Sequence, residues 1–185
     1  MKWTLTTVSI VLAAIAGGCA STSVRYLTLD MNSSGSNTAT GHVFIDAVEL
    51  SDALRRPELL VQASETEIEY YGDAYWVSSL TELVTEKLES EFGPADDAKN
   101  PSRLRVKVWH FGEDETVDPR CARVKLSVSV WPAESSVRDD PDWSRVYEEC
   151  MPIKADDVSD VAAALSAGLE VIALQIAEDL DRRNP

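Results

Sequence analysis

Two stretches of strict alternation constrain this chain more than any other feature. "RLRVKVWHF" (103–111) sets Leu104, Val106 and Val108 on one side and Arg105 and Lys107 on the other. "RVKLSVSVW" (123–131) repeats the pattern, with Val124, Leu126, Val128 and Val130 against Lys125, Ser127 and Ser129. Successive side chains of a strand point to opposite faces, so period two over this length predicts half-buried antiparallel strands. "WSRVYEECM" (143–151) reads as a third, less regular strand. The acidic joining segments "GEDETVDP" and "AESSVRDDPD" then fall at opposite ends of a meander.

Ahead of the meander, "RYLTLD" (25–30) is a brief strand candidate and "MNSSGSNTATG" (31–41) has the composition of a flexible linker. "HVFIDAVEL" (42–50), "ELLVQAS" (58–64) and "TEIEYYG" (66–72) follow as further strands. Over residues 75–92 the period changes. Trp76, Leu80, Leu83, Val84, Lys87, Leu88 and Phe92 recur at three and four, which predicts an amphipathic helix stopped by Gly93 and Pro94. From Asp157 the chain is helical again, with Val158, Val161, Leu165, Leu169, Ile172, Ile176 and Leu180 in one stripe. Gly168 within that stripe costs about 1 kcal/mol against alanine and would allow close approach to a sheet. These elements predict a single α+β domain: an antiparallel or mixed sheet with two amphipathic helices packed on one face.

The N-terminus reads differently. One basic residue, Lys2, precedes an apolar run to Ile15, and the run then shrinks to Ala16, Gly17, Gly18 and Cys19. It is too short for a membrane span, which needs about 20 apolar residues. The order basic, apolar, small is that of a secretory signal. Ala16-Gly17-Gly18-Cys19 resembles the bacterial lipobox, with alanine where leucine is usual. That resemblance implies cleavage after Gly18 and lipid on Cys19; Ala20 in the next place implies sorting to the outer membrane, facing the periplasm. The chain is therefore divided into a signal peptide (1–18), a lipid-anchored N-terminal segment and linker (19–41), and a folded domain (42–185).

Once Cys19 is used, Cys121 and Cys150 form an even pair in an oxidising compartment, where a disulfide is expected. The hairpin of the last two strands places both at its open end. Cys121 lies on the outward side with Arg123, so Cys150 must point outward too. That arrangement turns Trp143 and Tyr147 inward and Val146 outward. With only two histidines and no CxxC pair, no metal site or cofactor is expected. A net charge of −15 argues against nucleic acid, which needs a basic footprint. No nucleophile elbow, phosphate loop or zincin helix is present, so no catalytic residue is assigned and the chain is not read as an enzyme. His110 is expected at the surface. Trp76 is expected in the core. Trp109, Phe111 and Trp131 lie opposite the valines of their strands, on a face either covered by the N-terminal strands or open to a partner.

The order of elements resembles the ABC-type transport auxiliary lipoprotein family. The residues that carry the likeness are "RYLTL", "VFIDAVELSDALRRPELLVQ" with its Leu-x-Arg-Pro segment from Leu54 to Val61, and the Tyr71 to Leu80 approach to a helix. The resemblance implies an accessory lipoprotein that docks to an MCE-type intermembrane lipid carrier and hydrolyses no ATP itself. Candidate contact residues are Trp109, Trp131, and the arginines Arg55 and Arg56, which stand out in an acidic chain. A simpler account pairs those arginines with neighbouring carboxylates. Self-association into a homo-oligomer stays open, and the alternative function is an envelope lipoprotein that regulates cell-wall synthesis.

Overall fold

The computed structural model describes residues 23–32, 43–92, 102–132, 135 and 140–183. Its strands are β1 (Arg25–Leu27), β2 (Val43–Leu50), β3 (Glu58–Ser64), β4 (Glu67–Trp76), β5 (Ser102–Asp114), β6 (Cys121–Trp131) and β7 (Trp143–Pro152). The helices are α1 (Leu80–Phe92) and α2 (Val158–Arg183), and one 3₁₀ turn spans Asp52–Arg55.

β5 organises the sheet. Along one side it pairs antiparallel with β6, which pairs antiparallel with β7. Its other side is shared: β2 runs parallel to its first half, and β3 runs parallel to its last residues, 112–114. β3 pairs antiparallel with β4, and β1 adds a short parallel edge to β4. The result is one mixed, open sheet ordered β1-β4-β3-β5-β6-β7, with β2 attached to β5.

The valine face of β5 and β6 is the core. Leu104, Val106, Val108, Val124, Leu126 and Val128 are all 1 % exposed or less. α2 lies across β6 and β7, and α1 packs beside it against β2, so both helices cover one face of the sheet. Gly168 is where α2 comes closest: a β-carbon there would sit 3.1 Å from Met151 Cγ and 3.2 Å from Val124 Cγ2. On β7 Tyr147 points inward, 2 % exposed, and Val146 outward, 56 % exposed.

Four expectations need correction. The first helix begins at Leu80, five residues later than its periodicity suggests. Trp76 belongs to β4, although it is in the core, 5 % exposed and 5.8 Å from the Phe111 ring. Phe111 lies with the valines, not opposite them, because the β5–β6 register shifts between Val108 and His110. Trp109 is the extra residue of that bulge, and a bulge flips the parity of everything beyond it. The same shift turns His110 to the outward face, opposite Lys125, where it is half-buried rather than freely exposed.

The fourth correction concerns the tether. β1 lies ahead of residues 31–41 and is part of the sheet, with Leu27 and Leu29 buried. The folded body therefore reaches back to residue 25, ahead of the boundary at 42. Residues 31–41 join two strands of one sheet and cannot lengthen the link to Cys19. Cys19 itself, and the segment 33–41, lie outside the described residues.

Candidate docking cleft

The parallel pairing of β2 with β5 brings the end of β2 beside the bulge of β5: Leu50 stands opposite Val108. The chain then turns. Ser51 N donates to Val108 O at 2.9 Å, and Ser51 Oγ donates to Trp109 O at 3.1 Å. The 3₁₀ turn that follows buries Leu54 as its one apolar anchor and leaves Arg55 in solvent. Between this turn, the start of α1 and the β5 bulge lies a cleft of about 640 Å³, lined by Glu49, Ser51, Asp52, Arg55, Thr81, Lys107 and Trp109 among others.

Trp109 is held, not loose. Its indole Nε1 donates to Ser127 Oγ at 3.1 Å, and the Lys107 ammonium stands 4.0 Å from the ring centre. The residue is nevertheless 47 % exposed. A cation over an aromatic face is attracted by the ring quadrupole, so the pair presents a fixed, positively charged aromatic wall. Arg55 lies within reach of Asp52 at 3.2 Å, with both side chains well exposed. An exposed pair of this kind is weak and easily exchanged for another carboxylate.

A second hollow of about 340 Å³ adjoins the first across Arg55 and is lined by Arg56, Pro57, Trp76, Ser79 and Leu80. Arg56 stacks on Tyr70 at 4.2 Å and donates to both oxygens of Glu58, at 3.2 and 3.3 Å. Those bonds hold the Glu58 carboxyl below its usual range and raise the guanidinium. Tyr70 in turn donates to Ala53 O at 2.9 Å, which fixes the turn to β4.

The structure thus unites Arg55 and Trp109 in one cleft and places Arg56 next to it. Trp131 lies elsewhere, at the far end of β6, with the Arg105 guanidinium 5.8 Å from its ring. The N-terminal strands join the sheet edge to edge and do not cover these tryptophans. Lys107, Ser51 and Thr81 complete the cleft and were not singled out in the sequence. Lys107 carried a signal, since it alternates outward beside the tryptophan.

A cluster of titratable groups lies at the other end of β5. Glu113, fully buried, accepts from Tyr71 and pairs with Arg120 at 2.7 Å. Burial, then the bond to Glu113, pushes the Tyr71 phenol well above its ordinary value. Asp114 pairs with Arg123. Burial pushes the Asp114 carboxyl up, but the Thr116 hydroxyl and amide and the Arg123 charge hold it below its usual value. These groups answer one another and tie the strand ends. Among the described residues no three His, Cys, Asp or Glu side chains form a group that could hold a metal.

A sequence model of the family described as ABC-type transport auxiliary lipoprotein component matches residues 27–177. No curated protein matches the chain. Among solved structures, protein XCC0632 from Xanthomonas campestris, assigned to family DUF330, superposes with a TM-score of 0.65 at 16 % identity, over 87 % of this chain and 99 % of that one. The crystal structure of an uncharacterised protein superposes with a TM-score of 0.66 at 13 % identity, over 86 % and 99 %. At such identities the likeness is one of fold.

Proposed function

Because this chain belongs to the family of ABC-type transport auxiliary lipoprotein components, we propose that it is the anchored docking subunit of an intermembrane lipid transport system. Its partner is an MCE-type lipid carrier, and its lipid is carried on Cys19 in the outer membrane, facing the periplasm. The observation that carries this reading is the cleft between Arg55 and Trp109. Six of its lining residues, Val48 to Asp52 and Arg55, fall within residues 43–62, a stretch that carries the family resemblance.

The chemistry of the cleft suits a protein partner. Arg55 and Lys107 offer two cations in an acidic chain, Ser51 and Thr81 offer hydroxyls, and Trp109 offers a rigid aromatic wall. Tryptophan and arginine are the side chains most enriched at the energetic centres of interfaces. An acidic loop of the carrier would exchange with Asp52 for Arg55 and stack on Trp109. No role in breaking a covalent bond is assigned to any of these groups.

Crosslinking and affinity capture from native envelopes test the reading, with wild type compared with Arg55→Glu and Arg56→Glu. Recovery of an MCE protein with wild type, and its loss with Arg55→Glu, is the expected result. Recovery of wall-synthesis enzymes alone would replace this reading with the regulatory one.

A further inference from the structure

The folded body begins almost at the anchor. Ser23 is already described, and only three residues, four α-carbon steps, separate it from Cys19. An extended chain covers at most about 3.6 Å per residue, so the two α-carbons lie within about 14 Å of each other. The strand that follows cannot peel away to lengthen this link. β1 is bonded to β4 across Arg25, Tyr26 and Leu27, and Arg25 Nη1 reaches Asp157 Oδ1 at 2.6 Å. Beyond it, Asp30 N donates to Ser166 Oγ of α2 at 3.0 Å, and the Lys87 ammonium of α1 donates to Asn32 O at 2.8 Å.

Alternation decides what this edge displays. Leu27, Ala74 and Trp76 point toward the helices and are buried, while Tyr26 and Tyr75 fall on the opposite face, with the exposed Val24 and Val77 next to the strand ends. Tyr26 is 71 % exposed, Val77 58 % and Val24 55 %, and the rings of Tyr26 and Tyr75 lie 6.3 Å apart. Two neighbouring phenols flanked by two exposed valines form an amphipathic strip. Tyrosine favours the boundary between an apolar phase and water, because its ring wants one and its hydroxyl the other.

We propose that this strip rests on the membrane into which the Cys19 lipid inserts, with Tyr26 and Tyr75 in the headgroup layer. The proposal rests on the reading of Cys19 as the lipidated residue. The short link places the strip at the lipid surface, and the strip's own composition makes it fit there. Its affinity is apolar rather than electrostatic: Asp73 and Asp157 lie beside Arg25, and the chain carries −15 charges. Lipid of no net charge is therefore the matching surface. The opposite margin of the sheet, β7, stands five strand spacings from β1, about 24 Å, and so faces away from the bilayer.

The test uses full-length lipidated protein in vesicles of phosphatidylcholine brominated on its acyl chains, a quencher of tryptophan fluorescence. Tyr26→Trp puts a reporter in the strip, and Val146→Trp puts one at the exposed face of β7. Intact mass of the same samples reports the lipid on Cys19. The emission added by Tyr26→Trp is expected to be quenched, at high salt as at low, and that added by Val146→Trp is not. With the lipid present, an unquenched Tyr26→Trp signal, or equal quenching at both positions, overturns the proposal and leaves the anchor intact. A mass without lipid on Cys19 overturns both.

Discussion

Gly112 lies directly against the backbone of Leu60: a β-carbon built on it would stand 2.3 Å from the Leu60 carbonyl oxygen. The two residues are register partners where β3 takes over from β2 as the neighbour of β5. Any other side chain at 112 must push two hydrogen-bonded strands apart. Gly112→Ala is expected to destabilise the domain by about 3 kcal/mol, at the upper end for overpacking. Urea unfolding read by tryptophan fluorescence would show it, and an unchanged midpoint would mean the strands do not approach this closely.

The ammonium of Lys87 and the carboxylate of Glu91 form a second tight relationship, 2.6 Å apart with both side chains almost wholly buried. The same ammonium donates to Asn32 O, so the pair latches the residues after β1 to α1. Removing one member strands the other charge away from water. Glu91→Ala should cost about 3–5 kcal/mol, whereas Lys87→Met with Glu91→Leu should be close to neutral. Equal losses for the single and the double replacement would contradict this account of the latch.

Much of this fold was legible in the sequence, and the failures have definite causes. β5, β6 and β7 could be read because each buries one face only, which imposes period two. The start of α1 was misplaced because Trp76, Leu80 and Leu83 happen to fall at helical spacing, although Trp76 is buried from a strand. A local signal marked the true boundary: Ser79 caps the helix, its Oγ accepting from Glu82 N at 3.2 Å, in the Ser-x-x-Glu order of a capping box. The reversal at Phe111 had no such mark, since a bulge leaves composition unchanged. Arg55 and Trp109 could be picked out singly as unusual residues, but their meeting depends on the parallel pairing of β2 with β5, a long-range choice that no local pattern encodes. The incorporation of β1 was hidden for the same reason, in only three residues.

Cys121 and Cys150 are joined on the outward face of the β6–β7 hairpin, with α-carbons 5.6 Å apart and a sequence separation of 29. β7 is a margin of the sheet, so the bond fastens the end of a strand that is paired along one side only. On the chain-entropy account, closing a loop of this length contributes about 3.5 kcal/mol. Cys121→Ser with Cys150→Ser is expected to lower stability by an amount of this order. The exported wild-type protein should show no free thiol after denaturation, apart from any on Cys19. Two reactive thiols in that assay would refute the pairing.

His110 supplies the last prediction, on acid stability. Burial, and then the charge of Arg123, holds its imidazole neutral, with its pKa below the ordinary 6.5; Lys125 acts the same way, and Asp114 and Glu148 oppose it. The unfolded chain therefore takes up this proton before the folded one does. Stability is fully present above pH 6.5 and falls as the pH drops below it, toward the lower pKa of the folded state. A second loss begins near pH 4, where the Asp114 and Asp179 carboxyls of the unfolded chain protonate. In the folded domain burial works against ionisation of Asp179, but the Tyr147 hydroxyl and the Arg145 charge outweigh it and hold the pKa down. Urea midpoints measured from pH 8 to pH 3 should decline in these two stages. His110→Gln, which cannot take up the proton, should abolish the upper stage and leave the lower one. An upper stage that persists in that variant would assign it to a different group.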